Sequence, residues 1–261
     1  MIALVTGASS GIGEATARRL AREPGIKLVL VARREERLRA LADELAATYV
    51  AVDLTDDDAP RLVLDHVRET HGRLDLLVNN AGAAWRGNFG DVGWENVRRT
   101  MEVNFDAVVR LTEALLPLLR ESAPSALVNV ASTAARVARG GTGAYSASKF
   151  ALAGWSDSLY HEESRHGVHV GMVLPGFIAT EGFPQAELVE KASTRWTVST
   201  PEKAADAIVD AGLHRRPERY VPRPYWIVAV LRIAFPRVVR GVLSRGGAAK
   251  LVTRTGADEK G

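Results

Sequence analysis

A chain of 261 residues with 46% hydrophobic and 25% charged side chains can bury one full doubly wound sheet, a size at which such α/β units need not split into domains. Cysteine is absent, which excludes disulfides, thiolate metal sites and a cysteine nucleophile and suits a reducing cytoplasm. The formal net charge of +3 is unevenly spread: from His214 onward there are eleven Lys or Arg against three acidic residues, a local excess of +8.

Met1-Ile2-Ala3-Leu4-Val5 reads as a buried strand, with no charged and apolar leader expected before it. Thr6-Gly7-Ala8-Ser9-Ser10-Gly11-Ile12-Gly13 follows and leads into helix-forming residues 14–20. Strand, glycine-rich turn and helix together suit a phosphate cradle. Gly7, Gly11 and Gly13 let the backbone approach a pyrophosphate, and the helix start offers unpaired N–H groups to the anion. The spacing is Gly-x-x-x-Gly-x-Gly and departs from the common Gly-x-Gly-x-x-Gly fingerprint, so a plain tight turn is the competing reading.

Strand two, at 27–32, ends in Val31-Ala32-Arg33-Arg34. An NAD-binding unit places Asp or Glu about 20 residues past the glycines to grip the ribose, whereas an Arg accommodates a 2′-phosphate. Here no carboxylate precedes Glu35. Arg33 therefore fits the phosphate, Ser9 adds a hydrogen bond, Arg34 reads as a solvated neighbour, and NADP(H) is expected over NAD(H). Further strands are expected at 49–52, 74–78, 127–131, 168–174 and 219–221, with helices at 35–47, 57–70, 94–120, 144–165 and 201–213. Runs apolar on both faces specify a parallel sheet covered by helices on each side, with ligands at the carboxyl ends of its strands.

Asn79-Asn80-Ala81-Gly82 ends strand four, where small residues let a ribose pass close to the backbone; an ordinary turn is the alternative. Asp53, after strand three, either lies beside an adenine or serves turn and capping chemistry with Asp56, Asp57 and Asp58. Tyr145 and Lys149 stand four residues apart on one helix face, so phenol and ammonium can point at one reacting atom. A fixed cation there lowers the phenol's pKa toward the range useful for proton transfer, and Ser132, at the end of strand five, can hold a carbonyl oxygen.

The set Thr6-Gly7-x-x-x-Gly11-x-Gly13, Asn79-Asn80-Ala81-Gly82, Asn104, Ser132, Tyr145-x-x-x-Lys149 and Pro175-Gly176 resembles, in order and spacing, the short-chain dehydrogenase/reductase family over residues 1 to 221. The resemblance implies a single Rossmann-type domain, a nicotinamide cofactor, and reversible hydride transfer between an alcohol and a carbonyl. It implies a catalytic set of Asn104, Ser132, Tyr145 and Lys149, with Asn104 anchoring a water that links Lys149 to solvent. Cofactor contacts are expected from Gly7, Ser9, Ser10, Gly11, Ile12, Gly13, Arg33, Asp53, Asn80, Ala81, Gly82, Tyr145 and Lys149. Pro175, Gly176, Ile178 and Thr180 resemble the segment that meets the nicotinamide carboxamide. A non-catalytic cofactor-bound scaffold or redox sensor, and an epimerase or dehydratase, are the alternative functions.

No metal site is expected, since the six histidines form no His-Glu-x-x-His pattern. Trp85 and Trp196 fall in loops near the expected site and suit an apolar substrate pocket, whereas Trp155 suits core packing. The partners expected are a small carbonyl or alcohol substrate and further copies of the chain in a homodimer or homotetramer, with no nucleic acid. Residues 222–261 form a basic extension in which Ile227, Leu231, Ala234, Val238 and Val242 make an apolar stripe and Pro236 breaks the helix. Packing of that stripe on its own fold is favoured over a subunit interface or an anionic membrane surface. The segment 181–200 is expected to cover the substrate.

Overall fold

Alternation along each strand produces two buried faces. In the computed structural model, which describes residues 1–181 and 197–245, β1 (Ile2–Thr6) sends Ala3 and Val5 into one apolar layer and Ile2 and Leu4 into the other. In β2 (Lys27–Ala32), Leu28 and Leu30 join the first layer and Val29 and Val31 the second. With water excluded from both sides, helices cover both faces and the sheet runs parallel.

The remaining strands are β3 (Thr48–Ala51), β4 (Leu76–Asn79), β5 (Ser125–Val130), β6 (Val168–Pro175), the short β7 (Phe177–Ile178) and β8 (Val198–Ser199), and β9 (Glu218–Val221). Seven of them form one sheet in the order β3-β2-β1-β4-β5-β6-β9, while β7 and β8 pair separately. Val5 lies between Leu30 of β2 and Val78 of β4, both in parallel register. The chain thus leaves the sheet edge at β3 and crosses over to β4, opening a crevice at the carboxyl ends of β1 and β4. This is the Rossmann-type α/β fold expected, and β9 closes the sheet at Val221.

The helices are α1 (Gly11–Leu20), α2 (Glu35–Leu45), α3 (Ala59–His71), α4 (Phe89–Met101), α5 (Ala107–Glu121), α6 (Gly143–Glu163), α7 (Pro201–Gly212), α8 (Tyr225–Ala234) and α9 (Pro236–Arg245). One long helix was expected across 94–120. A π-helical turn, Glu102–Asp106, instead separates α4 from α5, and Asn104 sits in it with no exposed surface. The wide turn adds a residue to the helical register and carries the Asn104 amide inward, where it finds polar partners. Trp155 packs in the core against Phe105, edge to face with ring centroids 6.3 Å apart, as expected.

The favoured reading of the carboxyl-terminal stripe is overturned. Ile227, Leu231, Val238 and Val242 are 45%, 42%, 63% and 64% exposed, Ala234 is exposed too, and in α8 it is Ala229 that is buried. The break at Pro236 is present: Phe235 leaves helical geometry and α9 starts on the proline.

One ion pair ties α5 to α6. Arg120 donates to both carboxylate oxygens of Glu163, at 2.8 and 2.6 Å, and Glu163 is 2% exposed. The Arg120 hydrogen bonds hold that carboxyl below its ordinary value despite burial. A depressed folded-state pKa contributes stability above the unfolded value and loses it as pH falls through the folded one. Glu163→Gln is therefore expected to cost roughly 1–3 kcal/mol at neutral pH, read from denaturant midpoints. The difference from the native chain should shrink once the pH drops below the ordinary carboxyl value of 4.5.

Candidate active site

Close approach of backbone shapes the glycine turn. Gly7 has φ of +65°, and a Cβ on Gly13 would stand 2.2 Å from the Gly7 carbonyl oxygen and 2.6 Å from Asn80 Nδ2. Gly13 thus lets the first turn of α1 settle on the turn itself, which is a demand of close packing. Ser10 precedes α1 in extended conformation and makes no side-chain cap, so the N–H groups of the first turn lack that partner. Thr6 fastens the opposite wall: its hydroxyl accepts from the N–H groups of Asn80 and Ala81 at 2.9 and 3.0 Å, while Asn80 Nδ2 donates to the Thr6 carbonyl at 2.9 Å. Thr180 closes the turn from above, 3.2 Å from where a Gly11 Cβ would lie. Ile178 is buried in the core layer with α1 and α7.

Beside this cradle the two arginines expected near a 2′-phosphate, Arg33 and its neighbour Arg34, take different partners. Arg34 docks on the turn, its Nε donating to Ser9 Oγ at 3.2 Å and its Nη2 to the Ser9 carbonyl at 3.3 Å. Arg33 is 72% exposed and pairs with Asp53 at 3.3 Å. Successive residues leaving a strand point to opposite sides, so only one of the pair can lie over the glycines. Asp53 also accepts from the Thr55 N–H and hydroxyl at 3.1 and 2.9 Å, the turn chemistry that was its alternative reading. Burial works against its ionisation, but Thr55 and Arg33 hold its pKa below the ordinary value.

Across the crevice lie the four residues expected to be catalytic, and the fold brings them together. Ser132 follows β5, its hydroxyl donating to the Pro175 carbonyl at 3.3 Å, accepting from Ala134 N–H at 3.1 Å and hydrogen-bonded to Tyr145. Tyr145 lies in the first turn of α6, and Lys149 one turn later places Nζ 5.9 Å from the phenol ring centre. That ammonium donates to the Val130 carbonyl at 2.9 Å. Asn104 accepts from Ala83 N–H at 2.8 Å and donates to the Ala83 carbonyl and to Ser148 Oγ at 2.9 and 3.0 Å. Gly82 joins the group: a Cβ there would lie 3.0 Å from Asn104 Oδ1 and 3.5 Å from Lys149 Nζ.

The electrostatics differ from expectation in sign. Burial pushes the Tyr145 phenol above its ordinary value, and the forces acting against burial are the Ser132 hydrogen bond and the charges of Arg86 and Arg139. Lys149 is itself desolvated, which lowers its pKa to about 8, and its ammonium is engaged by a strand-end carbonyl. Arg86 and Arg139, whose charges act on Tyr145, belong to no motif read from the sequence. A backbone hydrogen bond from Gly87 N–H to the Gly141 carbonyl, 3.0 Å, joins the two loops that carry them. Arg139 also stacks over Phe177 at 4.7 Å, and burial lowers the pKa of both guanidines. Position 139, midway between Ser132 and Tyr145, was the available signal.

The pocket walls are partly as expected. Trp85 lies on the post-β4 loop with Arg99 stacked 4.6 Å over its ring, which makes that wall cationic as well as aromatic. Trp196, and most of the covering segment 181–200, fall outside the described residues. Tyr225 was not anticipated: its ring occupies the space beside Gly176, where a Cβ would meet it at 2.5 Å, and its hydroxyl donates to the Thr197 carbonyl at 3.0 Å.

A parallel switch-point crevice, a glycine turn opening a helix, and a Ser–Tyr–Lys group whose serine and lysine are buried define a nucleotide-binding oxidoreductase architecture. Comparison with known proteins agrees. Residues 1–190 match the model of the short chain dehydrogenase family, and the chain belongs to that family. It is 32% identical to the oxidoreductase YxnA of Bacillus subtilis over 94% of this chain and 71% of the relative. It is 37% identical to the oxidoreductase UcpA of Salmonella typhimurium, over 73% of each chain. With the 3-oxoacyl-[acyl-carrier-protein] reductase FabG of Escherichia coli the identity is 36% over 69% of this chain and 74% of the relative.

Gly13→Ala is expected to abolish dinucleotide binding in a fluorescence titration and to lower the melting temperature, since the added methyl meets backbone. Gly154→Ala, in α6 with open space around its Cα, should leave binding unchanged and stabilise the fold by about 0.5–1 kcal/mol.

Proposed function

We propose that this oxidoreductase uses NADP(H) to interconvert a ketone or aldehyde and the corresponding alcohol, with Tyr145 as general acid and base. The observation that carries the reading is the hydrogen-bonded Ser132–Tyr145 pair with buried Lys149 one helical turn on, facing a glycine cradle that only glycine at position 13 permits. The name of the FabG relative denotes reduction of a 3-oxoacyl group, and a keto carbonyl is the substrate class carried over.

In this reading the turn 7–13 and the start of α1 hold the pyrophosphate, Arg34 and Ser9 take the 2′-phosphate, and Ala81 and Gly82 line the ribose. The bound nicotinamide supplies the hydride to the carbonyl carbon. Ser132 turns its hydroxyl from the Pro175 carbonyl to the substrate oxygen, and Tyr145 donates its proton to that oxygen as the carbon–oxygen double bond opens. Arg86 and Arg139 stabilise the phenolate left behind, and the Lys149 ammonium returns a proton toward it. The water anchored by Asn104 reloads the ammonium. Trp85, Phe177 and Tyr225 flank the substrate. Phe89 and Trp94 on α4 and Phe150 on α6 are 70%, 68% and 45% exposed on helices that pack together, which supports a homodimer through this face. A cytoplasmic location belongs to the same reading, from the absence of cysteine.

Tyr145→Phe should reduce turnover of a ketone by roughly 10²–10⁴ while NADPH affinity stays near native, since the phenol's proton transfer is lost and its ring retained. Retained turnover, followed as NADPH absorbance, refutes the assignment. Arg34→Gln should weaken NADPH binding by roughly ten- to hundred-fold with little change for NADH, the worth of a charge-assisted hydrogen bond to phosphate. Arg33→Gln, removing a side chain that faces Asp53, should change the NADPH to NADH ratio far less; the reverse order would restore Arg33 to the phosphate.

A further inference from the structure

The described chain exposes fourteen large hydrophobic side chains, and eight of them fall between residues 226 and 242. Ile233 is 79% exposed, Val242 64%, Val238 63%, Phe235 57% and Trp226 52%. Scattered exposed apolar residues are ordinary, but eight within seventeen residues, on two successive helices, mark a docking surface. Its charge is one-sided. Residues 222–245 contain Arg223, Arg232, Arg237, Arg240 and Arg245 and no acidic residue.

That composition selects among partners. A second copy docked isologously would set the same arginines against each other, with no carboxylate in the segment to receive them. A nucleic acid would satisfy the arginines and leave the apolar residues in water. An anionic bilayer satisfies both, with apolar side chains entering the acyl boundary and guanidinium groups meeting lipid phosphates. Neither helix is long and apolar enough to cross a membrane, and Pro236 divides the segment into two short pieces, a length that suits lying along a surface.

We propose that α8 and α9 form a binding surface for anionic phospholipid bilayers. The surface starts at the cleft, because Tyr225, the first residue of α8, packs its ring on Gly176 and hydrogen-bonds the Thr197 carbonyl. Docking therefore brings the mouth of the crevice to the lipid boundary. The inference does not depend on the cofactor or the reaction.

The test is flotation of the full-length protein with vesicles of phosphatidylcholine alone or with roughly one third phosphatidylglycerol, at low salt and at about 0.5 M salt. The native protein should float with the anionic vesicles at low salt, stay unbound with the neutral ones, and detach in part at high salt. Ile233→Glu with Phe235→Glu should abolish flotation. Arg237→Gln with Arg240→Gln should weaken it on the order of thirty-fold, from about five-fold for each surface-facing arginine. All four side chains are exposed, so circular dichroism and melting temperature should stay native. Failure of the native protein to float with anionic vesicles at low salt overturns the proposal, as does flotation unaffected by either double substitution. A native dimer that dissociates in the Ile233→Glu, Phe235→Glu variant, without native flotation, assigns the surface to a second copy and equally overturns it.

Discussion

Lys149 holds its ammonium inside the protein, 4% exposed, against the carbonyl of Val130 at the end of β5, and burial brings its pKa down to about 8. Burying a cation is costly, so the elements around it must be fixed to make it possible. The end of β5 offers a carbonyl, α6 aims the side chain, and the π turn at Glu102–Asp106 keeps Asn104 close by, tied to Ala83 and Ser148. Gly82 keeps its backbone near both. These constraints converge on the carboxyl ends of β4 and β5, next to the switch point between β1 and β4, where a parallel sheet leaves its crevice.

The phenol is governed by a wider set of charges than its helix neighbour. In the free protein burial dominates and Tyr145 is a weaker acid than tyrosine in water. Ser132 acts against this by hydrogen bond, and Arg86 and Arg139 act by charge from loops joined through Gly87 and Gly141. The proposed proton relay therefore starts from a phenol held protonated, as an acid that reduces a carbonyl needs to be, and the same arginines favour the phenolate once the proton has gone.

Much of this was legible in the chain. Periodicity and glycine placement marked the strands to within a few residues and placed every motif at the carboxyl end of the sheet, because runs apolar on both faces admit few arrangements. The four catalytic candidates followed from order and spacing, and the fold collects them. What escaped depended on side-chain direction and on contacts between distant segments. Arg33 and Arg34 are adjacent in sequence, and only the strand's exit geometry decides that Arg34 lies over Ser9. The π turn has no composition signal, since Asn104 inside a helix reads the same whether the register is shifted or not. Arg139 belongs to no motif. The stripe in 222–245 was visible as a pattern, but its exposure depended on whether the rest of the fold offers it a matching face.

Burial holds the Tyr145 phenol above its ordinary value in the free protein, and in the proposed function the positive charge of a bound oxidised nicotinamide adds to Arg86 and Arg139 in lowering it. That shift is most directly tested by carbon-13 labelling of the tyrosine hydroxyl-bearing ring carbon and NMR titration, with Tyr145 assigned by its Phe variant. Without cofactor the signal should titrate above the ordinary value of 10.0, and saturating NADP+ should move it downward as a positive charge enters the crevice. A titration at the ordinary value that NADP+ leaves in place would contradict the account.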